Sequence, residues 1–168
     1  MKRLVAVGVP IFLMFMATRA LAKNIVQSET AGPYRIELEL LPPEPFYSAK
    51  QVAAGEGKSG MLILGGAEPV QPDAASHPDH HLVVHVFQKT NDKAITNAKV
   101  RLTVQALDSK GHPTGKVRKV PVVRMQIIGK GAATTHYGNN VSLSPGDYRV
   151  EAIANGHPAS FTIKVSKE

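Results

Sequence analysis

Apolar and polar residues alternate along most of the chain, which predicts β-strands. A period of two with one apolar face is the pattern of a half-buried strand, and short apolar runs between turn signals fit strands as well. Seven segments show one of these patterns: 34–40, 61–64, 81–87, 99–107, 117–128, 148–154 and 161–165, with 141–143 as a short eighth. No long helix is predicted, so we expect an all-β fold, an immunoglobulin-like antiparallel β-sandwich of seven or eight strands.

Turn residues separate these strands. Asn155-Gly156 is the strongest hairpin signal and fits a type I′ turn. Pro121 inside 117–128 favours an edge strand or a bulge. Residues 46–59 are expected to hold one short helical turn, and 129–141 to form a flexible loop. The stretch Leu143–Val150 is similar to the tyrosine corner of immunoglobulin-like domains, with Tyr148 as its tyrosine.

The first 22 residues have the layout of a secretory signal peptide. The start is basic, residues 4–17 are mostly apolar, and Ala20-Leu21-Ala22 is a small-residue cleavage triplet. An apolar run of about 14 residues is short for a membrane span of about 20. We therefore predict a signal peptide at 1–22, export to the periplasm, and one mature domain at 23–168.

Composition narrows the function classes. The 168 residues suit one domain, and the absence of Cys excludes disulfides, thiolate metal sites and a Cys nucleophile. Removal of the signal peptide takes away three cationic residues and lowers the formal charge from +7 to +4. The aromatic content is 5% and the basic residues are scattered, so we do not expect a nucleic-acid partner. No catalytic motif stands out, so we expect a protein that is not an enzyme.

Histidine is the main chemical candidate. All seven His lie after residue 22, and four of them fall within residues 77–85. Imidazole and thioether groups are copper ligands, and imidazole also suits zinc and iron. On one strand His81 and His85 point the same way but lie about 13 Å apart, so a shared ion needs donors from elsewhere. The candidate metal ligands are His80, His81, His85, Met125 and His136.

The alternative is that these histidines are incidental. Leu82 and Val84 would form the core face of the strand, which would leave His81 and His85 as exposed polar residues. His-rich tracts also bind metals without a physiological site.

Three segments resemble the bacterial periplasmic iron-transport accessory proteins, a copper-binding family that works beside an iron permease. These segments are 33–45, 81–85 and 120–140, the last with His136-Tyr137-Gly138. More loosely, the chain is similar to YtkA/FixH-like exported domains. The resemblance implies an immunoglobulin-like sandwich, usually dimeric. It also implies a metal role for His136 and places Glu44 where the family has an acidic residue after its first strand.

Two hypotheses follow. The first is an exported copper-binding module, with iron as a second candidate metal, that acts as accessory to a membrane metal transporter. The second is a β-sandwich interaction domain that binds no metal and docks a membrane or envelope partner. The first predicts that the candidate histidines converge in space. The second predicts that they scatter, with an exposed apolar patch or an open sheet edge elsewhere.

Overall fold

The computed structural model describes residues 25–167, so the predicted signal peptide at 1–22 lies outside the described residues. This part of the chain is built of strands, one short helix and a 3₁₀ turn at Ala132–Thr134. The elements are β1 (Ile25–Ala31), β2 (Tyr34–Leu41), β3 (Phe46–Tyr47), α1 (Ala49–Ala53), β4 (Met61–Gly66), β5 (His80–Gln88), β6 (Val100–Leu107), β7 (Pro113–Val120), β8 (Val123–Ile127), β9 (His136–Val141), β10 (Gly146–Ala154) and β11 (His157–Val165). No helix within residues 25–167 is long and apolar enough to cross a membrane.

The strands form two sheets. One has seven strands in the order β1-β2-β5-β9-β8-β4-β3, and the other has four in the order β11-β10-β6-β7. All pairings are antiparallel except that of β3 with β4. The predicted all-β sandwich is therefore confirmed, with more strands than the seven or eight expected.

The main core lies between the two sheets. Its buried residues come from β2 and β5 on one side and from β6, β10 and β11 on the other. Leu82, Val150 and Phe161 are among them, each at most 2% exposed. They are the apolar members of alternating strands, so burial of this face from water drives the packing of the sheets.

Three local predictions are confirmed in detail. In the hairpin between β10 and β11, Asn155 and Gly156 both have positive φ, as a type I′ turn requires. The Tyr148 hydroxyl donates a 2.8 Å hydrogen bond to the carbonyl of Ser144, the contact that defines a tyrosine corner. Residues 46–59 do hold one short helix, with Ser48 and Gln51 forming a capping box.

Two expectations on strands were wrong. Segment 117–128 is not one strand: Val120 pairs with Leu102 in the four-stranded sheet, while Val123 pairs with Gly138 in the other. The chain crosses between sheets at Pro121, which cannot donate a ladder hydrogen bond. Strand β1 was not predicted, because its sequence, IVQSETA, shows no alternation of apolar and polar residues. It lies at the edge of the seven-stranded sheet, where it pairs with β2 alone.

The expected loop at 129–141 is also wrong in its second half, because β9 is a strand in the middle of the seven-stranded sheet. The polar sequence HYGNN is buried there because its side chains have main-chain partners. The Asn139 amide donates to the carbonyls of Glu68 and Pro121, and its oxygen accepts from the amide of Val70. Buried polar groups are tolerated when they are paired in this way.

Candidate metal centre

Strand β5 is buried on both faces. Leu82, Val84 and Val86 face the main core, as the alternation predicts. The opposite face carries His81 and His85, and it is not exposed: His81 is 0% accessible and the His85 side chain 16%. A second apolar cluster covers this face, formed by Phe46, Met61, Val83, Val123 and Met125. The expectation that both histidines are exposed polar residues is therefore wrong.

Strand β9 brings His136 between these two histidines. The register pairs Val84 with Tyr137 and His81 with Asn140, so His136 stands beside His85. The ring centroid of His136 lies 5.1 Å from that of His85 and 5.9 Å from that of His81. Gly138, between His136 and Asn140, lies so close to β5 that a Cβ there would meet the Leu82 carbonyl oxygen. We call His81, His85 and His136 the histidine cluster.

The hydrogen bonds of Asn140 fix the tautomer of His81. The Asn140 amide nitrogen donates to the carbonyls of Glu44 and Val70, both at 2.8 Å, so its oxygen must be the acceptor. That oxygen lies 2.8 Å from Nδ1 of His81, which therefore donates. The proton of the neutral ring is on Nδ1, and Nε2 carries a lone pair. This Nε2 is buried and has no hydrogen-bond partner among the described residues.

His136 is held in the same way. Its Nδ1 lies 2.7 Å from the main-chain carbonyl of Thr134, which can only accept. Nδ1 is again the donor, and Nε2 is again buried without a partner in the described part of the chain. Metal-binding histidines have this arrangement, in which one ring nitrogen donates to a fixed acceptor and the other is free to bind the ion.

Burial keeps both of these rings neutral. It lowers the pKa of His81 to about 4, and it lowers the pKa of His136 to about 4 as well. An imidazole binds a metal in its neutral form, so neither ring needs to lose a proton near neutral pH.

Glu39 adds a carboxylate to the cluster. Its Oε2 lies 3.6 Å from Nε2 of His85, an ion-pair distance that is long for a hydrogen bond. The His85 ring beside it holds the pKa of Glu39 below its usual range, against the opposing effect of burial. From the sequence, Glu39 belongs to a solvated strand face. Its alternation with Leu38 and Leu40 places it opposite the core, but only the pairing of β2 with β5 brings it to His85.

Two thioethers lie on the same face of the sheet. Met125, one of the candidate donors, pairs in register with His136 and is 0% exposed. Met61 lies in the same apolar cluster and lines a cavity together with His85 and His136. Sequence reasoning did not select Met61, although it is the other methionine of the described segment.

Two candidates lie apart from the cluster. His80 is on the opposite face of β5 from His81, and its Nδ1 lies 2.6 Å from Oδ1 of Asp79. Glu44 is tied to the cluster by its main chain, which exchanges hydrogen bonds with the Asn140 side chain. Burial raises the pKa of the Glu44 carboxyl. Glu44 therefore supports the residue that orients His81.

The cluster is near, but not in, a metal-binding geometry. Within residues 25–167, no three His, Asp or Glu side chains are already placed to hold an ion. Nitrogen ligands lie about 2.0–2.1 Å from a bound ion, so two imidazoles sharing one ion at tetrahedral angles have ring centroids about 5 Å apart. The observed separations of 5.1 and 5.9 Å are close to this value. By this measure His136 is the ring placed to share an ion with either of its two neighbours.

The fold and these residues define a two-sheet β-sandwich with a buried histidine cluster on the outer face of its larger sheet. Comparison with protein-family models gives no match, and comparison with curated proteins gives none either. Among solved structures, the chain is similar to FetP of uropathogenic Escherichia coli strain F11, a protein recombinantly expressed in the periplasm. The TM-score is 0.51 and the identity 14%, over 86% of this chain and 97% of FetP. This distant likeness shows the fold alone.

Proposed function

We propose that the protein is an exported, periplasmic metal-binding module that takes copper at the histidine cluster. The observation that carries the proposal is the pair of unpartnered Nε2 atoms on His81 and His136. A buried polar atom without a partner costs about 1–3 kcal/mol, and two such atoms within one cluster are unusual in a purely structural core. A metal ion would satisfy both at once.

Copper is the favoured metal because of the donors around the cluster. Imidazole nitrogens suit copper, zinc and iron, whereas thioethers favour copper, in particular Cu(I). Met61 and Met125 are both buried on the cluster's face of the sheet. Glu39 supplies a hard oxygen donor that would favour the divalent ion. In the proposed site His81 and His136 are the ligands. His85, Glu39 and either methionine are the further candidate donors beside them.

The proposed role is binding and delivery, as accessory to a membrane metal transporter. The expected signal peptide supports export, and the resemblance of segments 33–45, 81–85 and 120–140 to periplasmic iron-transport accessory proteins supports the transport context. The fold shared with FetP agrees with that resemblance. The interaction-domain hypothesis predicts scattered histidines, and the convergence of three of them disfavours it.

Calorimetric titration of the purified protein with Cu(II) tests the proposal. We expect one equivalent to bind, with His136→Ala lowering the affinity by at least about tenfold, the lower end of the loss seen when even an outer-shell partner is removed. His80→Ala and Glu44→Gln are matched controls that should leave the affinity unchanged, since neither side chain is in the cluster. Urea unfolding would establish that each variant is folded. Weak binding that survives His136→Ala, or that is lost equally in His80→Ala, would contradict the proposal.

A further inference from the structure

The four strands of the smaller sheet carry more positive than negative charge. Their carboxylates are Asp147 and Glu151, and their cations are Arg101, Lys116, Arg118, Lys119, Arg149 and Lys164. Within residues 25–167, none of these cations forms an ion pair. In the strands of the larger sheet carboxylates outnumber cations, with Glu29, Glu37 and Glu39 against Arg35 and Arg124. The smaller sheet is therefore the one that attracts an anionic partner.

Strand β6 extends past its pairing with β7. The register places Val120, the last residue of β7, opposite Leu102. Val100 and Arg101 therefore have β10 on one side and no strand on the other. Successive residues of a strand present their main-chain N–H and C=O groups to opposite neighbours. One of these two residues thus presents both groups to the vacant side, where the described residues form no main-chain hydrogen bond with it.

A hollow of about 520 Å³ lies at this vacant side and extends onto the outer face of the sheet. Its apolar wall is formed by Val100, Leu102, Val120, Val122 and Ile153. Arg101 and Lys119, both exposed, line it together with Thr103 and Glu151. The hollow thus combines a free strand edge, an apolar surface and two cations that have no ion pair within residues 25–167.

We propose that this hollow docks an extended acidic segment of a partner protein, which pairs with the free edge of β6 at Val100 and Arg101. The main chain of the segment supplies the strand pairing, one apolar side chain fills the hollow, and neighbouring carboxylates face Arg101 and Lys119. A second copy of this chain is disfavoured as the occupant, because two such edges would bring like charges together. The inference goes beyond the proposed function, since the hollow shares no residue with the histidine cluster or the cavity beside it.

Fluorescence anisotropy with labelled peptides tests the proposal on the purified, metal-free protein. The probe is a short peptide in which glutamate alternates with valine, and the matched peptide has glutamine in place of glutamate. We expect saturable binding of the glutamate peptide, at least about tenfold tighter than that of the glutamine peptide. Arg101→Glu and Lys119→Glu should each weaken this binding by at least about tenfold. Lys50→Glu is the matched control, because it changes the net charge equally but is an exposed residue of α1, which contacts β3 and β4 of the other sheet.

Amide hydrogen exchange distinguishes strand pairing from a purely ionic contact. The N–H of either Val100 or Arg101 should exchange more slowly when the glutamate peptide is bound, because a hydrogen-bonded main-chain N–H is protected. Unchanged exchange at both residues would overturn the inference. A loss of affinity in Lys50→Glu equal to that in Lys119→Glu would overturn it too, because binding would then follow net charge alone.

Vesicles of phosphatidylglycerol test the other source of negative charge. If the protein sediments with these vesicles but does not bind the glutamate peptide, the basic sheet faces a lipid surface and the inference is wrong. The copper titration is independent of these experiments. Failure of peptide binding leaves the proposed function standing, and a chain that binds no copper leaves the peptide site standing.

Discussion

Acid should destabilise the metal-free protein through His81 and His136. Both rings have a pKa of about 4 in the folded state, against 6.5 as the unperturbed value. Between pH 6.5 and pH 4 each ring binds a proton in the unfolded chain but not in the folded one. The free energy of unfolding therefore falls as the pH falls through this range. Above pH 6.5 neither state binds the proton and the effect vanishes.

The magnitude follows from the two pKa values. A shift of one unit corresponds to about 1.4 kcal/mol, so at pH 5 each ring lowers the free energy of unfolding by about 2 kcal/mol, and the pair by about 4 kcal/mol. Glu39, with its lowered pKa, contributes stability that is lost at still lower pH. Glu44 acts in the opposite direction, because its raised pKa favours the folded state as the pH falls. Glu39 and Glu44 are present in every variant compared, so the comparison isolates the effect of the histidine that is replaced.

Urea unfolding at pH 7 and pH 5 measures the effect. His81→Phe and His136→Phe each replace the ring by an aromatic one that does not titrate, so each should lose about half of the pH sensitivity. His77→Ala is the control, because that side chain is exposed and lies outside the histidine cluster. If the single variants lose as much stability between pH 7 and pH 5 as the parent protein does, the two rings are not buried as neutral groups.

Three substitutions test the fold around this site, each read from urea midpoints at pH 7. Gly138→Ala should cost about 3 kcal/mol, because its Cβ would overlap the Leu82 carbonyl oxygen in the middle of the sheet; a loss below about 1 kcal/mol would contradict that packing. Gly156→Ala should cost about 1–2 kcal/mol from backbone strain alone, since its φ is +89° and no atom crowds the position. Tyr148→Phe should cost about 1 kcal/mol by removing the corner hydrogen bond, and no change would deny that bond a stabilising role.

The residues of the main core between the two sheets could be predicted from the alternation of apolar and polar positions alone. Residues such as Leu82 and Val150 occupy every second position of their strands and lie in the main core, as the period of two indicates. The hairpin at Asn155-Gly156 and the corner at Tyr148 could be predicted because their geometry depends only on nearby residues. These features require no knowledge of which strands are neighbours.

The site depends on contacts that no local pattern contains. The sequence predicts an exposed His81, because alternation identifies only one buried face of the strand. In the structure the other face is also buried, under residues distant in sequence such as Phe46 and Met125. Strand β9 looks like a loop, because its asparagines are paired with main chain far along the sequence. Glu39 joins the cluster only through the register of β2 with β5.

Pulsed EPR of the protein loaded with one equivalent of Cu(II) shows directly which side chains hold the copper, because it detects the remote nitrogen of each bound imidazole. Binding through Nε2 leaves Nδ1 of His81 and His136 as remote nitrogens, donating to the Asn140 side chain and the Thr134 carbonyl. We expect at least two equatorial imidazoles, with one signal lost in His81→Phe, one lost in His136→Phe and none in His80→Ala. A spectrum that keeps its imidazole signals in both cluster variants, or that loses one in His80→Ala, would show that the copper binds elsewhere.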